Sequence, residues 1–167
     1  QMQMTFGVIM LALVDGAPLV LNLKEMLYYY LEHQKDVITR RTRFELEKAE
    51  ARAHILEGYQ IALDHIDAVI ALIRRSQTDE EAKQGLMRNF GLSEKQAQAI
   101  LDMRLRRLTG LEREKIDAEL MELQLVIARL KAVLQDEKLL VAIIREELLI
   151  IKEKYADARR TEIMAGV

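Results

Sequence analysis

A chain of 167 residues with 25 Lys and Arg against 27 Asp and Glu is close to neutral, which excludes the strongly basic signature of an obligate polyanion binder. The absence of cysteine excludes disulfides and thiol chemistry and fits a reducing compartment, while 31% charged residues and a single proline are typical of long helices and coiled coils. No apolar run is long enough to cross a bilayer, and no basic-then-apolar segment resembles a signal peptide.

The first apolar runs are Val8 to Val14 and Leu19 to Leu21, joined through Asp15-Gly16-Ala17-Pro18, and they read as a β-hairpin. VIMLALV does not alternate, so both faces of its strand call for cover. A lone hairpin is marginal in water. The expectation is therefore a remnant of a neighbouring domain, in keeping with a chain that opens at Gln1.

Asn22 and Glu25 have capping-box spacing, and Leu21 with Met26 can form a hydrophobic staple. The helical pattern then continues to about Ser76, a predicted length of about 80 Å at 1.5 Å per residue. Leu23, Leu27, Tyr30, Gln34, Val37, Arg41 and Phe44 alternate by four and three, as a coiled-coil seam does. From Ile55 to Ile73 a second row, Leu56, Leu63 and Ile70, widens the apolar stripe, which calls for several packing neighbours.

Thr78 and Glu81 cap a short helix that Gly91 can stop. Ser93 and Gln96 cap the next, with Ala97, Ile100, Leu101, Leu105 and Leu108 on one face. Gly110 suits a helix C-terminus, and Thr109 with Glu112 begins the return helix. Ile116, Leu120, Leu123, Ile127, Leu130 and Leu134 give it an uninterrupted apolar seam. Around Gln135-Asp136-Glu137 the register slips, predicting a kink or a fresh start, and Leu140, Ile144, Leu148, Ile151 and Tyr155 resume on a new face.

The expected fold is mainly α: a long antiparallel coiled coil with a small helical globular tip, plus the N-terminal β-hairpin. Its boundaries fall at 1–21 (hairpin), 22–54 with 112–158 (stalk), 55–111 (tip) and 159–167 (extended tail).

Few residues offer chemistry. His33, His54 and His65 have no metal-ligand spacing, and His54 and His65 read as capping or packing residues. Asp64 and Asp67 are close in sequence but lack a cleft. Tyr30 of Tyr28-Tyr29-Tyr30 fits the seam, leaving its neighbours to water. Arg40, Arg41 and Arg43 form a basic stretch followed at once by Glu45, Glu47 and Glu50, which reads as a solvated face or as a weak phosphate contact. Arg104 lies amid the apolar face of 97–108. It must reach water or find a carboxylate, with Glu57, Asp64 and Asp67 as possible partners, or else stand at a subunit interface.

The string QAQAILDMRLRRLTGLEREKI closely resembles the A subunits of the bacterial DNA gyrases, type IIA topoisomerases. The flanking RAHILEGYQIALDHIDAVI before it and the terminal RRTEI after it resemble the same family in the same order, and RLTGLE is closer to gyrase than to topoisomerase IV. The resemblance implies a bacterial cytoplasmic homodimer, closed at its tip through Ile100, Leu101, Met103, Arg104, Leu105 and Leu108, that opens as an exit gate for a transported duplex. It implies that the hairpin belongs to a tower-like domain and that Arg40, Arg41 and Arg43 lie near passing double-stranded DNA. It also implies that the parent cuts and religates DNA with Mg²⁺ and ATP, the nucleotide being handled by the gyrase B subunit. The cleaving tyrosine would lie upstream, so this stretch would hold no catalytic residue, metal or cofactor. Periodicity alone serves a free-standing helical adaptor equally well.

Overall fold

The computed structural model describes residues 4–5, 7–103 and 110–162. Its elements in chain order are strands β1 (Met10–Val14) and β2 (Ala17–Leu21), then helices α1 (Leu23–Asp64), α2 (Ile66–Arg75), α3 (Asp79–Phe90), α4 (Glu94–Leu101), α5 (Gly110–Gln135) and α6 (Glu137–Tyr155). The architecture is mainly helical with one small antiparallel hairpin, as the sequence pattern requires. The chain divides into two compact units, one of residues 1–41 with 133–167 and one of residues 42–132.

In the first unit β1 and β2 pair antiparallel from Met10↔Leu21 to Val14↔Ala17. Asp15 and Gly16 alone make the turn, with φ of 51° and 81°, the left-handed pair that a two-residue hairpin loop needs. Ala17 and Pro18, expected in the connection, belong to β2. Pro18 sits opposite Leu13, one step from the closing pair, where alternation turns the backbone N–H outward and its loss costs no ladder bond. Leu11, Leu13 and Val20 on one face remain exposed, as strands expecting cover on both sides would.

The α1 cap forms as expected: Asn22 N donates to Glu25 Oε2 at 2.8 Å, and Glu25 N donates to Asn22 Oδ1 at 2.9 Å. Further along, Leu31 and Ile38 pack with Val133, Leu140, Ile143 and Ile144. Asp136 interrupts the return helix, its carboxylate accepting from Lys138 N at 2.8 Å, so the register slip is a fresh capped helix. Lys35 pairs with Glu137 at 2.8 Å and Arg41 with Glu147 at 2.5 Å. Residue numbers rise together on both helices, so α6 runs here in the same sense as α1. Leu140 and Ile144 are buried as expected, but Leu148, Ile151 and Tyr155 are exposed.

The second unit holds the larger core. Ala53, Leu56, Tyr59, Ala62 and Leu63 of α1 meet Val69 and Leu72 of α2, Leu86 of α3, Ala97 and Ile100 of α4, and Ile116 and Leu120 of α5. The pairs Arg52–Glu119, Gln60–Asp117 and Asp64–Arg113 fall on α5 as they rise on α1, so these two helices are antiparallel. The return seam is as read, from Ile116 and Leu120, buried, to Leu130, half-buried.

The α1 seam differs from expectation. Along the helix the covered positions are Leu31, Ile38, Thr42, Ala49, Ala53 and Leu56, while Phe44 is 67% exposed and Arg41 is exposed and paired with Glu147. The true stripe lies one residue, about 100°, from the expected one. Large side chains suggested the wrong row, whereas Thr42, Ala49 and Ala53 are the small ones that let a neighbour approach. Two further differences are local. The long helix ends at Asp64, and His65 (φ −120°, ψ 33°) separates it from α2. Gly110 opens α5 and so does not close the helix before it, and Thr109 lies outside the described residues.

Candidate functional site

The tip is built from short helices, of which α3 and α4 carry side-chain N-caps. Thr78 accepts from Glu81 N at 3.2 Å, and Gly91, at φ 65°, ends α3 in the left-handed conformation. The reciprocal half of that box is displaced, because Glu81 accepts from Gln77 N at 2.8 Å and not from Thr78 N. At α4 the box is complete: Ser93 Oγ accepts from Gln96 N and Gln96 Oε1 from Ser93 N.

Gln96 does more than cap. Its Nε2 donates to the His54 carbonyl at 2.7 Å and faces His54 Nδ1 at 3.4 Å, while His54 Nε2 meets Ser93 Oγ at 2.7 Å. An amide donor beside Nδ1 makes that nitrogen the acceptor and leaves Nε2–H to donate to Ser93. His54 is thus a structural joint between α1 and α4, in keeping with its expected packing role. Gly58 leaves the room: a Cβ there would stand 2.8 Å from both Cβ and Cγ of Gln96. Lys83 bridges Glu80 at 2.9 Å and Glu94 at 3.2 Å, tying α3 to α4, and these hydrogen bonds raise its pKa and lower that of Glu80, where Gln84 contributes most. His65 stacks on Phe90 at 5.7 Å between ring centres.

Of the proposed interface residues, Ile100 is only 3% exposed and belongs to the core of its own unit. Leu101 and Met103 are half-buried, and Arg104, Leu105 and Leu108 lie outside the described residues. Leu101 and Met103 instead edge an apolar groove of about 310 Å³ with Ile66, Ile70, Ile73 and Arg74. The surplus apolar surface at the tip therefore includes α2, which periodicity had placed inside a longer helix. Asp64, one candidate partner for Arg104, is held by Arg113.

The arginine cluster is partly neutralised. Arg40 pairs with Asp36 at 2.9 Å and Arg41 with Glu147 at 2.5 Å, while Arg43 is exposed. Arg52 makes a two-pronged contact with Glu119 at 2.7 and 2.9 Å, which raises its pKa. Tyr28 and Tyr29 meet edge to face at 5.3 Å, and all three adjacent tyrosines are exposed, Tyr30 included, against its expected place in the seam. Among the described residues no group of His, Asp and Glu could hold a metal, and no helix is long and apolar enough to cross a membrane.

Among the described residues, α1 and α5 run antiparallel and the short helices α2, α3 and α4 lie at their far end, a helical-hairpin scaffold. The chain belongs to the family of DNA gyrase/topoisomerase IV A subunits, whose model matches residues 1–149. It is similar to the DNA gyrase A subunit of Clostridium acetobutylicum, 64% identical over 163 residues, covering 98% of this chain and 20% of that protein. The protein of the same name from Halalkalibacterium halodurans is 65% identical over 165 residues, covering 99% and 20%. That from Staphylococcus aureus is 59% identical over 165 residues, covering 99% and 19%. The chain thus spans about a fifth of the length of these relatives.

Proposed function

We propose that this chain is the coiled-coil and exit-gate segment of a gyrase A subunit, dimerising through its tip. The family match carries the reading, and the apolar groove between α2 and α4 supports the place of contact. In the parent, one duplex would pass through a transient double-strand break in another and leave between two such tips. Cleavage would use a tyrosine outside this chain, with Mg²⁺, and ATP would be handled by the B subunit. The hairpin, with Leu11, Leu13 and Val20 uncovered, would complete its sheet in an adjoining domain of the same polypeptide. The setting is the bacterial cytoplasm.

The test is sedimentation of the chain with Ile70→Asp or Met103→Asp, both half-buried groove residues. The expected result is loss of the tip-to-tip association step with helicity kept, against an unmodified chain that shows that step at tens of micromolar. Ile100→Asp serves as the contrast, since a charge in the core of its own unit should reduce helicity as well. An unmodified chain that sediments as a monomer at these concentrations would remove the tip-dimer reading.

A further inference from the structure

Helix α5 carries two apolar seams. The inward one, with Ile116, Leu120, Leu123 and Ile127, packs into the core it shares with α1. Ala118, Met121, Leu125, Ala128 and Ala132 repeat by three and four about half a turn away. Met121 is 68% and Leu125 74% exposed, Ala118 and Ala128 are also exposed, and Ala132 is half-buried. Isolated surface leucines need no explanation, but five successive seam positions without a charge form a continuous apolar stripe.

We propose that this outward seam joins two copies of the chain, α5 against α5, antiparallel about a two-fold axis at Leu125. The pattern of flanking charges selects that occupant. Asp117 and Glu122 flank the first half of the seam, and Arg129 and Lys131 flank the second. Antiparallel self-pairing sets Glu122 against the partner's Arg129 and Asp117 near the partner's Lys131; parallel pairing would set Glu122 against the partner's Asp117 and leave Arg129 facing the partner's uncharged Gln124. Asp117 also accepts from Gln60, and Lys131 also bridges Glu50 at 2.7 Å, so Glu122 and Arg129 supply the charge selectivity. Size complementarity agrees with charge. About the same axis Leu125 meets its own copy, Met121 fills the space beside the partner's Ala128, and Ala118 lies by the partner's Ala132. A two-fold interface requires this self-complementarity. So short a seam buries less than the roughly 800 Å² per partner of a standard interface, and a dissociation constant of about 10–100 µM is expected.

The surface is separate from the α2–α4 groove, so the two associations can be removed one at a time. In sedimentation, Leu125→Glu should abolish one association step and leave helicity unchanged, because the position is exposed. Glu122→Arg and Arg129→Glu should each weaken that step by about tenfold, and the double reversal should restore it. The chain has no native cysteine, so Leu125→Cys should cross-link to its own copy with a short thiol reagent while Val126→Cys, turned away from the seam, should not. Absence of the Leu125 cross-link, or charge reversals whose combination does not restore association, would overturn the proposal and leave the tip reading intact. Loss of all association with Leu125→Glu and none with Ile70→Asp would uphold the α5 pairing and remove the tip.

Discussion

Gln96 is 6% exposed and satisfies groups on two helices at once, so its neighbourhood tolerates little added volume. Gly58→Ala would place a Cβ 2.8 Å from Gln96 Cβ, a contact relieved only by moving α4 or breaking the link to His54. Overpacking of this kind costs about 1–3 kcal/mol. Thermal unfolding should show that loss for Gly58→Ala, and a smaller change for Gly85→Ala, where contacts to core Leu72 are milder, at 3.1 and 3.2 Å, and the helix propensity of Ala offsets them. An unchanged melting temperature for Gly58→Ala would refute the joint. The capping box at Ser93 and Gln96 was legible because its partners are three residues apart. The bond from Gln96 to His54 spans 42 residues, and no local pattern announces it.

Elements were legible wherever one local rule dominated. The hairpin turn, the Asn22 and Ser93 boxes, the Gly91 stop and the restart at Asp136 each follow from one residue's conformational or hydrogen-bonding preference. The α1 seam was not, because Tyr28 to Tyr30, Phe44 and a row of aliphatic residues offer several stripes, and only the partner helix selects among them. The restart at Asp136 also carries a pH signature. Glu137 accepts from Lys35, and that hydrogen bond lowers its pKa from the ordinary 4.5 while Lys35, held by Glu137 and then Glu32, is raised from 10.5. A lowered carboxylate contributes stability above its unfolded pKa and loses it as pH falls through the folded one. A raised lysine contributes below its unfolded pKa and loses it as pH climbs past the folded one. Glu137 is exposed and Lys35 half-buried, so the effect is small and screened by salt. Unfolding of Lys35→Met against the unmodified chain should show a constant difference from about pH 5 to 10, shrinking below about 4.5. A difference that persists unchanged at pH 3 would show that the pair contributes nothing to folding.

At the scale of the whole molecule, the proposed gate role would bring a near-neutral scaffold close to DNA. With 25 basic and 27 acidic residues the chain has no general attraction for a polyanion, so binding must come from local cations with no carboxylate beside them. Arg40 is engaged by Asp36 and Arg41 by Glu147, so part of the basic stretch read from the sequence is already neutralised. Duplex affinity of the chain should therefore be weak and lost at moderate salt. It should also come without covalent adducts in the presence of Mg²⁺ and ATP. Each cation that touches phosphate contributes about 0.9 to the slope of log K against log salt. Arg43→Ala should accordingly flatten that slope by about 0.9, measured by fluorescence anisotropy on a short duplex. Deleting an internally satisfied pair, Arg40→Ala with Asp36→Ala, should leave it unchanged. A slope that falls with the paired deletion and not with Arg43→Ala would mean that DNA displaces Asp36 from Arg40, and the contact would then move one helical turn along α1. Tight binding that survives moderate salt would count against a gate through which a duplex must pass freely, since a transported segment held at the exit could not be released.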